Sequence, residues 1–384
     1  MNPSTSGWVA KFGHILERQS HHLLAGTALF NSLKSLGFLY GSSIAIPSFI
    51  NTEHKASSDE KTKINFLFSL YNTYKESYKD TPYNAFIKEV LNFYKKLNID
   101  NKSLYDQIIG QGNNEDALEG IINKRVFIET NLINKTIGNF LLNPYLAFDY
   151  LGFKRFLQDP SSFKNYIGLL EISGEKLIKK SSLLFTPEDN KLALFKKARL
   201  IKEDTDTKPE VLALNGEETA YLLCLSATLS LPYKNLQALH NSYINETASE
   251  LFTTTASVEN ALKDLEHFVE TYKDHIPGLK TMAMGEQLYE NFTLLVNKLI
   301  LRNSKRLLKE IKGSQELIIL LTKSTHSELS KEERKKVQEQ LLDIFKSIPS
   351  LAIFILPGGA ILLPIFIKLI PKLLPSAFDD NRLP

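Results

Sequence analysis

One cysteine in 384 residues, Cys224, excludes an intramolecular disulfide framework and a cysteine-based zinc site. It stands in "AYLLCLSATL", an apolar run where a free thiol behaves as a small buried hydrophobe. Charge of one sign is also lacking: Lys+Arg 46 against Asp+Glu 43 leaves +3, too little to hold nucleic acid non-specifically, so no direct nucleic-acid partner is expected. The N-terminal "MNPSTSGWVAKFGHILERQSHH" has no basic segment followed by an apolar one, so there is no secretory signal and the bulk of the chain is expected in the cytosol.

Catalytic motifs are missing as well. There is no GxxxxGK[ST], no GxGxxG after a strand, no HExxH and no EF-hand loop. His14, His21 and His22 would fall roughly on one side of a helix, but no acidic or cysteine partner at ligand spacing accompanies them. The pairs Glu266-His267, Asp274-His275 and Asp379-Asp380 read as solvated charge. No nucleophile with a base and an orienting group can be assembled. The chain is therefore read as no enzyme, with no catalytic residue, no cofactor-binding residue and no metal ligand.

What is present is helical periodicity. In "MGEQLYENFTLLVNKLILRN", Leu288, Phe292, Leu295 and Leu299 share one helical face. Helix starts are written at Ser57-Ser58-Asp59-Glu60, at Thr186-Pro187-Glu188-Asp189 and at Ser330-Lys331-Glu332-Glu333. In each, a hydroxyl can cap an orphan amide and an acidic residue favours the positive helix end. The fold class is all-α: a multi-helix bundle region followed by a C-terminal, proline-interrupted apolar helical segment. "EDTDTKPEVLALNGEE" marks a linker at 204–218, between helical regions at 1–203 and 219–312, and "KGSQ" opens a further region at 313–384.

Two stretches are short of charge. Ser35 to Ile50 has none, but at about 16 residues it is too short to span a bilayer and reads as a buried segment of a globular domain. The second, "IPSLAIFILPGGAILLPIFIKLIPKLLPSAF", lies at Ile348 to Phe378, and the 21 residues from Ser347 to Ile367 carry no charge. That length suits a membrane span. Its prolines do not: inside a continuous helix Pro357, Pro364 and Pro371 would leave the carbonyls of Ile353, Ala360 and Ile367 without donors. Pro357-Gly358-Gly359 predicts a break, with one half-helix ending near Leu356 and another over Ile361 to Leu374. Three arrangements stay open: a broken spanning helix lining a hydrated path with other subunits, an interfacial hairpin with Lys368 and Lys372 reaching to phosphates, and a buried hairpin in a helical bundle.

The stretch from Leu329 to Phe378 resembles the membrane segment of the LETM family, the leucine-zipper, EF-hand-containing transmembrane proteins of the mitochondrial inner membrane, which have bacterial relatives. The resemblance rests on Leu329-Ser330, Asp343-Ile344-Phe345, Ile348-Pro349, Leu362-Leu363-Pro364, Lys368-Leu369-Ile370-Pro371 and Leu374-Pro375-Ser376-Ala377-Phe378. It assigns the family motif to Pro349, Pro357, Gly358, Gly359, Pro364, Lys368, Pro371, Pro375, Ser376 and Phe378. In overall plan the chain is similar to bacterial LETM-related, biofilm-associated proteins. The resemblance implies membrane lipid as a partner, attachment to an inner or cytoplasmic membrane, and a link to cation/proton homeostasis or to biofilm and envelope behaviour. A transport role would require a homo-oligomer, because one short segment cannot line a path. Ribosome association is the family's other theme, and it makes a non-transporting adaptor the alternative. The sequence ends six residues after Phe378, before the long matrix-side region, called ribosome-binding, that follows this segment in the family.

Overall fold

The computed structural model describes residues 1–19, 22–52, 56–97, 113–126, 144–182, 191–201, 216–230, 241–273, 276, 293, 295–297, 299–300, 303–355 and 362–373. Among them every regular element is a helix and none is a strand, which is the all-α class that the periodicity predicts. Contacts divide the chain into two compact units that meet in sequence at residues 279 and 280.

The larger unit runs through α1 (Trp8–Arg18), α2 (Gly26–Ser35), α3 (Ser58–Ser77), α4 (Tyr83–Leu97), α5 (Asn114–Val126), α6 (Leu146–Gln158), α7 (Phe163–Ser182), α8 (Lys191–Ala198), α9 (Gly216–Ser230), α10 (Asn241–Glu250) and α11 (Thr255–Tyr272). Its centre is α3. The capping box that starts it is formed as written in the sequence, with the Ser57 amide donating to Glu60 at 2.9 Å. The helix is apolar on most sides, and Ile64, Phe66, Leu67, Phe68, Leu70, Tyr71 and Tyr74 are all buried, as a helix surrounded by others must be. It packs on α2, α4, α5 and α6, while α9 packs on α7 and α11.

The uncharged stretch at Ser35 to Ile50 lies inside this unit, with Phe38, Leu39, Tyr40 and Ile50 buried. Two glycines let it turn. Gly37 has φ +80 and Gly41 φ +71, and a Cβ on Gly41 would run into the backbone of Pro144. Of the 204–218 stretch, 204–215 lie outside the described residues, and Gly216 to Glu218 form the first turn of α9.

Polar groups inside the unit are pinned in pairs. Asp149 of α6 is fully buried and takes both ends of the Arg125 guanidinium of α5, at 2.8 and 2.5 Å, along with the Tyr94 hydroxyl of α4 at 2.6 Å. One carboxylate thereby fixes three helices, with its charge neutralised at the point where water cannot reach it. Removal of that carboxylate strands a buried guanidinium. Asp149→Ala is expected to destabilise the unit by about 3–5 kcal/mol in urea denaturation, and a loss below about 1 kcal/mol would contradict the pinning role.

Glu171 of α7, also fully buried, accepts the backbone N–H groups of Leu200 and Ile201 at 2.5 and 3.3 Å and so ties down the chain leaving α8. Arg199 lies beside it at 3.6 Å and also reaches Glu175. Burial pushes the Glu171 carboxyl up to about 7, against the pull of those amides and of the Arg199 and Arg125 charges. The sign follows from linkage. The unfolded carboxyl titrates near 4.3, so the folded state holds the proton more tightly. The contribution of Glu171 is then full below about pH 4 and is lost as pH rises to about 7. The stability difference between the wild type and Glu171→Gln is expected to shift against the wild type over that range, and a pH-independent difference would contradict it.

Candidate functional site

The second unit contains α12 (Ser304–Lys312), α13 (Gln315–His326), α14 (Lys331–Ser347), a 3-10 helix (Pro349–Phe354) and α15 (Leu363–Leu373). Ahead of them, Val296 and Ile300 are buried in its core and Leu295 and Leu299 are half-buried against it, while Leu288 and Phe292 lie outside the described residues.

Local sequence explains the order of elements. Ser314 starts α13 by accepting from the Leu317 amide at 3.3 Å. Ser330 and Glu333 close a capping box on α14, at 2.9 and 3.1 Å, as the Ser-Lys-Glu-Glu signal predicts. Along α14 the buried side chains are Val337, Leu341, Ile344 and Phe345, spaced as one helical face. Pro349 then ends α14, because the residue before a proline is driven out of the α region; Ile348 is extended, at φ −120 and ψ 99.

Side-chain bridges hold α13 to α14. Lys336 meets Glu316 at 2.9 Å, Lys323 meets Glu333 at 2.7 Å, and Gln340 joins both Ser314 and Glu316. Lys336 holds the Glu316 carboxyl below the usual range, and Lys323 does the same for Glu333. These pairs are exposed, so they set register more than stability.

Beyond Pro349 the apolar run turns inward. Three residues per turn place Ile348, Leu351 and Phe354 in one column of the 3-10 helix, and all three are buried. On α15 the buried side chains include Leu363, Phe366 and Ile370. Phe345, Phe354 and Phe366 meet as a triad with ring centroids 4.6, 4.9 and 5.1 Å apart, one pair stacked and two edge-on. The triad draws on three separate elements and closes the core of the unit.

Of the motif residues, Pro349 is exposed at the start of the 3-10 helix, and Pro364 is exposed in the first turn of α15. Lys368 is exposed and Pro371 half-buried further along α15. Pro357, Gly358, Gly359, Pro375, Ser376 and Phe378 lie outside the described residues. A proline in a first turn interrupts no intrahelical hydrogen bond, so the carbonyl column imagined for a continuous helix gains nothing from Pro364. The break predicted at Pro357-Gly358-Gly359 lies outside the described residues. The first half, however, is a 3-10 helix rather than an α-helix.

A spanning helix is the expectation that the described residues do not meet: none of their helices is long and apolar enough to cross a membrane. At 11 residues α15 is about 16 Å long, against a hydrocarbon thickness of about 30 Å. The aromatic triad was not read from the sequence. Phe345 was visible on the α14 face, but nothing in the spacing shows that Phe354 and Phe366 fold back onto it.

The other flagged residues fall elsewhere. Cys224 is buried in α9, and burial pushes its thiol up to about 11, well away from the thiolate form that reacts. His22 stacks on Phe49 at 4.8 Å, and His14 and His267 are exposed. His21, Asp274-His275, Asp379-Asp380 and the Thr186 start signal lie outside the described residues. Among the described residues no group of three or more His, Cys, Asp or Glu side chains could hold a metal ion.

The second unit is thus a small helical unit whose sequence carries a family pattern. Residues 329–383 match the family model described as "LETM1-like, RBD", a range that takes in all ten motif residues. The chain is also similar to the LETM1 domain-containing protein mdm28, mitochondrial, of Schizosaccharomyces pombe, at 36% identity over 73 residues. That match covers 19% of this chain and spans only 15% of the relative's length. No solved structure matches the chain. The C-terminal segment is therefore LETM1-like, and the designation RBD falls on the stretch whose apolar run the sequence suggests for the membrane.

If the triad closes this unit, Phe366→Ala should destabilise it by about 3–5 kcal/mol, whereas Pro364→Ala, exposed in a first turn, should stay within about 1 kcal/mol. Urea denaturation followed by circular dichroism checks both. Equal effects would contradict the placement of Phe366.

Proposed function

We propose that the chain is a non-transporting adaptor that works at a membrane surface, with its LETM1-like C-terminal unit as the binding module and the large helical unit as the body it holds in place. The observation that carries this reading is the burial of Leu351, Phe354, Leu363, Phe366 and Ile370. Side chains committed to the core of their own unit are not free to form a bilayer-spanning surface, because the same face cannot be covered twice. The outer face of α14, with Lys331, Arg334, Lys335 and Gln338 exposed, offers polar contact to a partner. The ribosome is the partner we favour, on the strength of the LETM resemblance and of the RBD designation read as ribosome-binding. Cation/proton homeostasis, and biofilm or envelope behaviour, would then be consequences exerted through that partner. A transporting homo-oligomer is the reading that the buried run disfavours.

Membrane fractionation of cells making the full chain separates the two. A surface adaptor is expected in the membrane pellet at low salt and in the supernatant after an alkaline carbonate wash, and the purified chain in proteoliposomes should move neither K⁺ nor Ca²⁺ against a proton gradient. Resistance to carbonate, or measurable flux, would overturn the adaptor reading, as would a chain never found with membranes.

A further inference from the structure

One buried carboxylate of the large unit lacks part of what the others have. Glu218, in the first turn of α9, is 8% exposed. Its Oε1 accepts the Tyr166 hydroxyl of α7 at 2.6 Å, while its Oε2 is buried with no hydrogen-bond donor. Asp149 is matched by a guanidinium and Glu171 by backbone amides. Two cations of α6 share the surroundings of Glu218, and both are committed elsewhere. Lys154 meets Glu217 at 2.9 Å and Glu76, near the end of α3, at 3.9 Å. Arg155 lies 5.6 Å over the Tyr166 ring, with Ser162 at 3.2 Å and Asp159 at 3.8 Å as its partners. The first turn places Glu217 and Glu218 at the positive helix end, which eases their burial but brings no donor to Oε2.

Two further carboxylates flank this spot. The Tyr150 hydroxyl donates to Glu217 at 3.3 Å, and burial first, then the charges of Glu217, Glu76 and Glu218, push that hydroxyl above its ordinary range. The rim is open to water. Glu76 and Gly216 are exposed, Glu217 is half-buried, and a Cβ on Gly216 would meet nothing within 4 Å.

We propose that this cluster binds an aliphatic diamine, one ammonium on the open oxygen of Glu218 and the other between Glu217 and Glu76. The proposal concerns the large unit alone and does not rest on the surface-adaptor reading. Charge supports two cationic ends, because Glu76, Glu217 and Glu218 against Lys154 leave two negative charges. An ammonium group carries three donors and no acceptor, which is what an acceptor without a donor requires. A metal ion does not suit the cluster: among the described residues no three such side chains could hold one. Donors at the two ends of a short chain can instead reach carboxylates that share no ion-sized centre.

Isothermal titration of the full chain with 1,4-diaminobutane at low salt tests the proposal. The wild type is expected to bind one equivalent and to melt at a higher temperature in its presence. Glu218→Gln keeps the shape but removes the charge, and should weaken binding about tenfold, as loss of a hydrogen bond between charged groups implies. Glu76→Gln, at an exposed position, should act in the same direction and serves if the first variant fails to fold. Glu259→Gln, exposed on α11, should leave binding unchanged. A wild type that does not bind would overturn the proposal, as would Glu218→Gln and Glu76→Gln chains that bind as tightly as it does. So would equal weakening by Glu259→Gln, which would reduce the effect to diffuse charge attraction. Calcium that displaces the diamine at equal concentration would also overturn it, by making this a metal site.

Discussion

Phe345, Phe354 and Phe366 meet within 4.6 to 5.1 Å, and the C-terminal unit can close only because the chain breaks between them. A continuous helix from Lys331 onward would carry Phe354 and Phe366 about 14 and 32 Å beyond Phe345 along its axis, at 1.5 Å per residue. Pro349 ends α14, and the chain returns so that α15 lies along α13. Proline, which looks like a defect in a membrane helix, is here the residue that allows a compact core. The charged pairs between α13 and α14 then fix the register of the two helices on the other side.

This arrangement gives the apolar run two faces with different duties. Its inward columns fill the core, and its exposed side chains include Pro349, Ala352, Ile355, Pro364 and Lys368. The family match places the LETM1-like pattern on this segment, and of the motif residues Pro349, Pro364, Lys368 and Pro371 fall on its described helices. In the large unit the same economy of polar groups appears as single buried carboxylates, Asp149 and Glu171, each tying together elements distant in sequence.

Much of the helical plan was legible beforehand. The capping boxes at Ser57 and Ser330 are local signals, complete within four residues, and they mark helix starts correctly. The burial of Ser35 to Ile50 followed from a length too short for a span. What could not be read depends on distance in sequence. The pairing of Arg125 with Asp149, and of Phe345 with Phe366, is decided by how helices stack, and no spacing rule reports that. The choice between an α and a 3-10 conformation for Pro349–Phe354 was hidden too, because a six-residue stretch does not separate periods of 3.0 and 3.6.

The central claim is that the apolar run is the core of a folded unit in water. Amide hydrogen exchange on the full chain, without detergent or lipid, tests it most directly. The amides of Leu351, Ile355 and Phe366, which donate to Ile348, Ala352 and Leu362, should be protected together with those of Val337 to Phe345. Immediate exchange at these three positions while α14 stays protected, or a chain that needs detergent to remain in solution, would contradict the account.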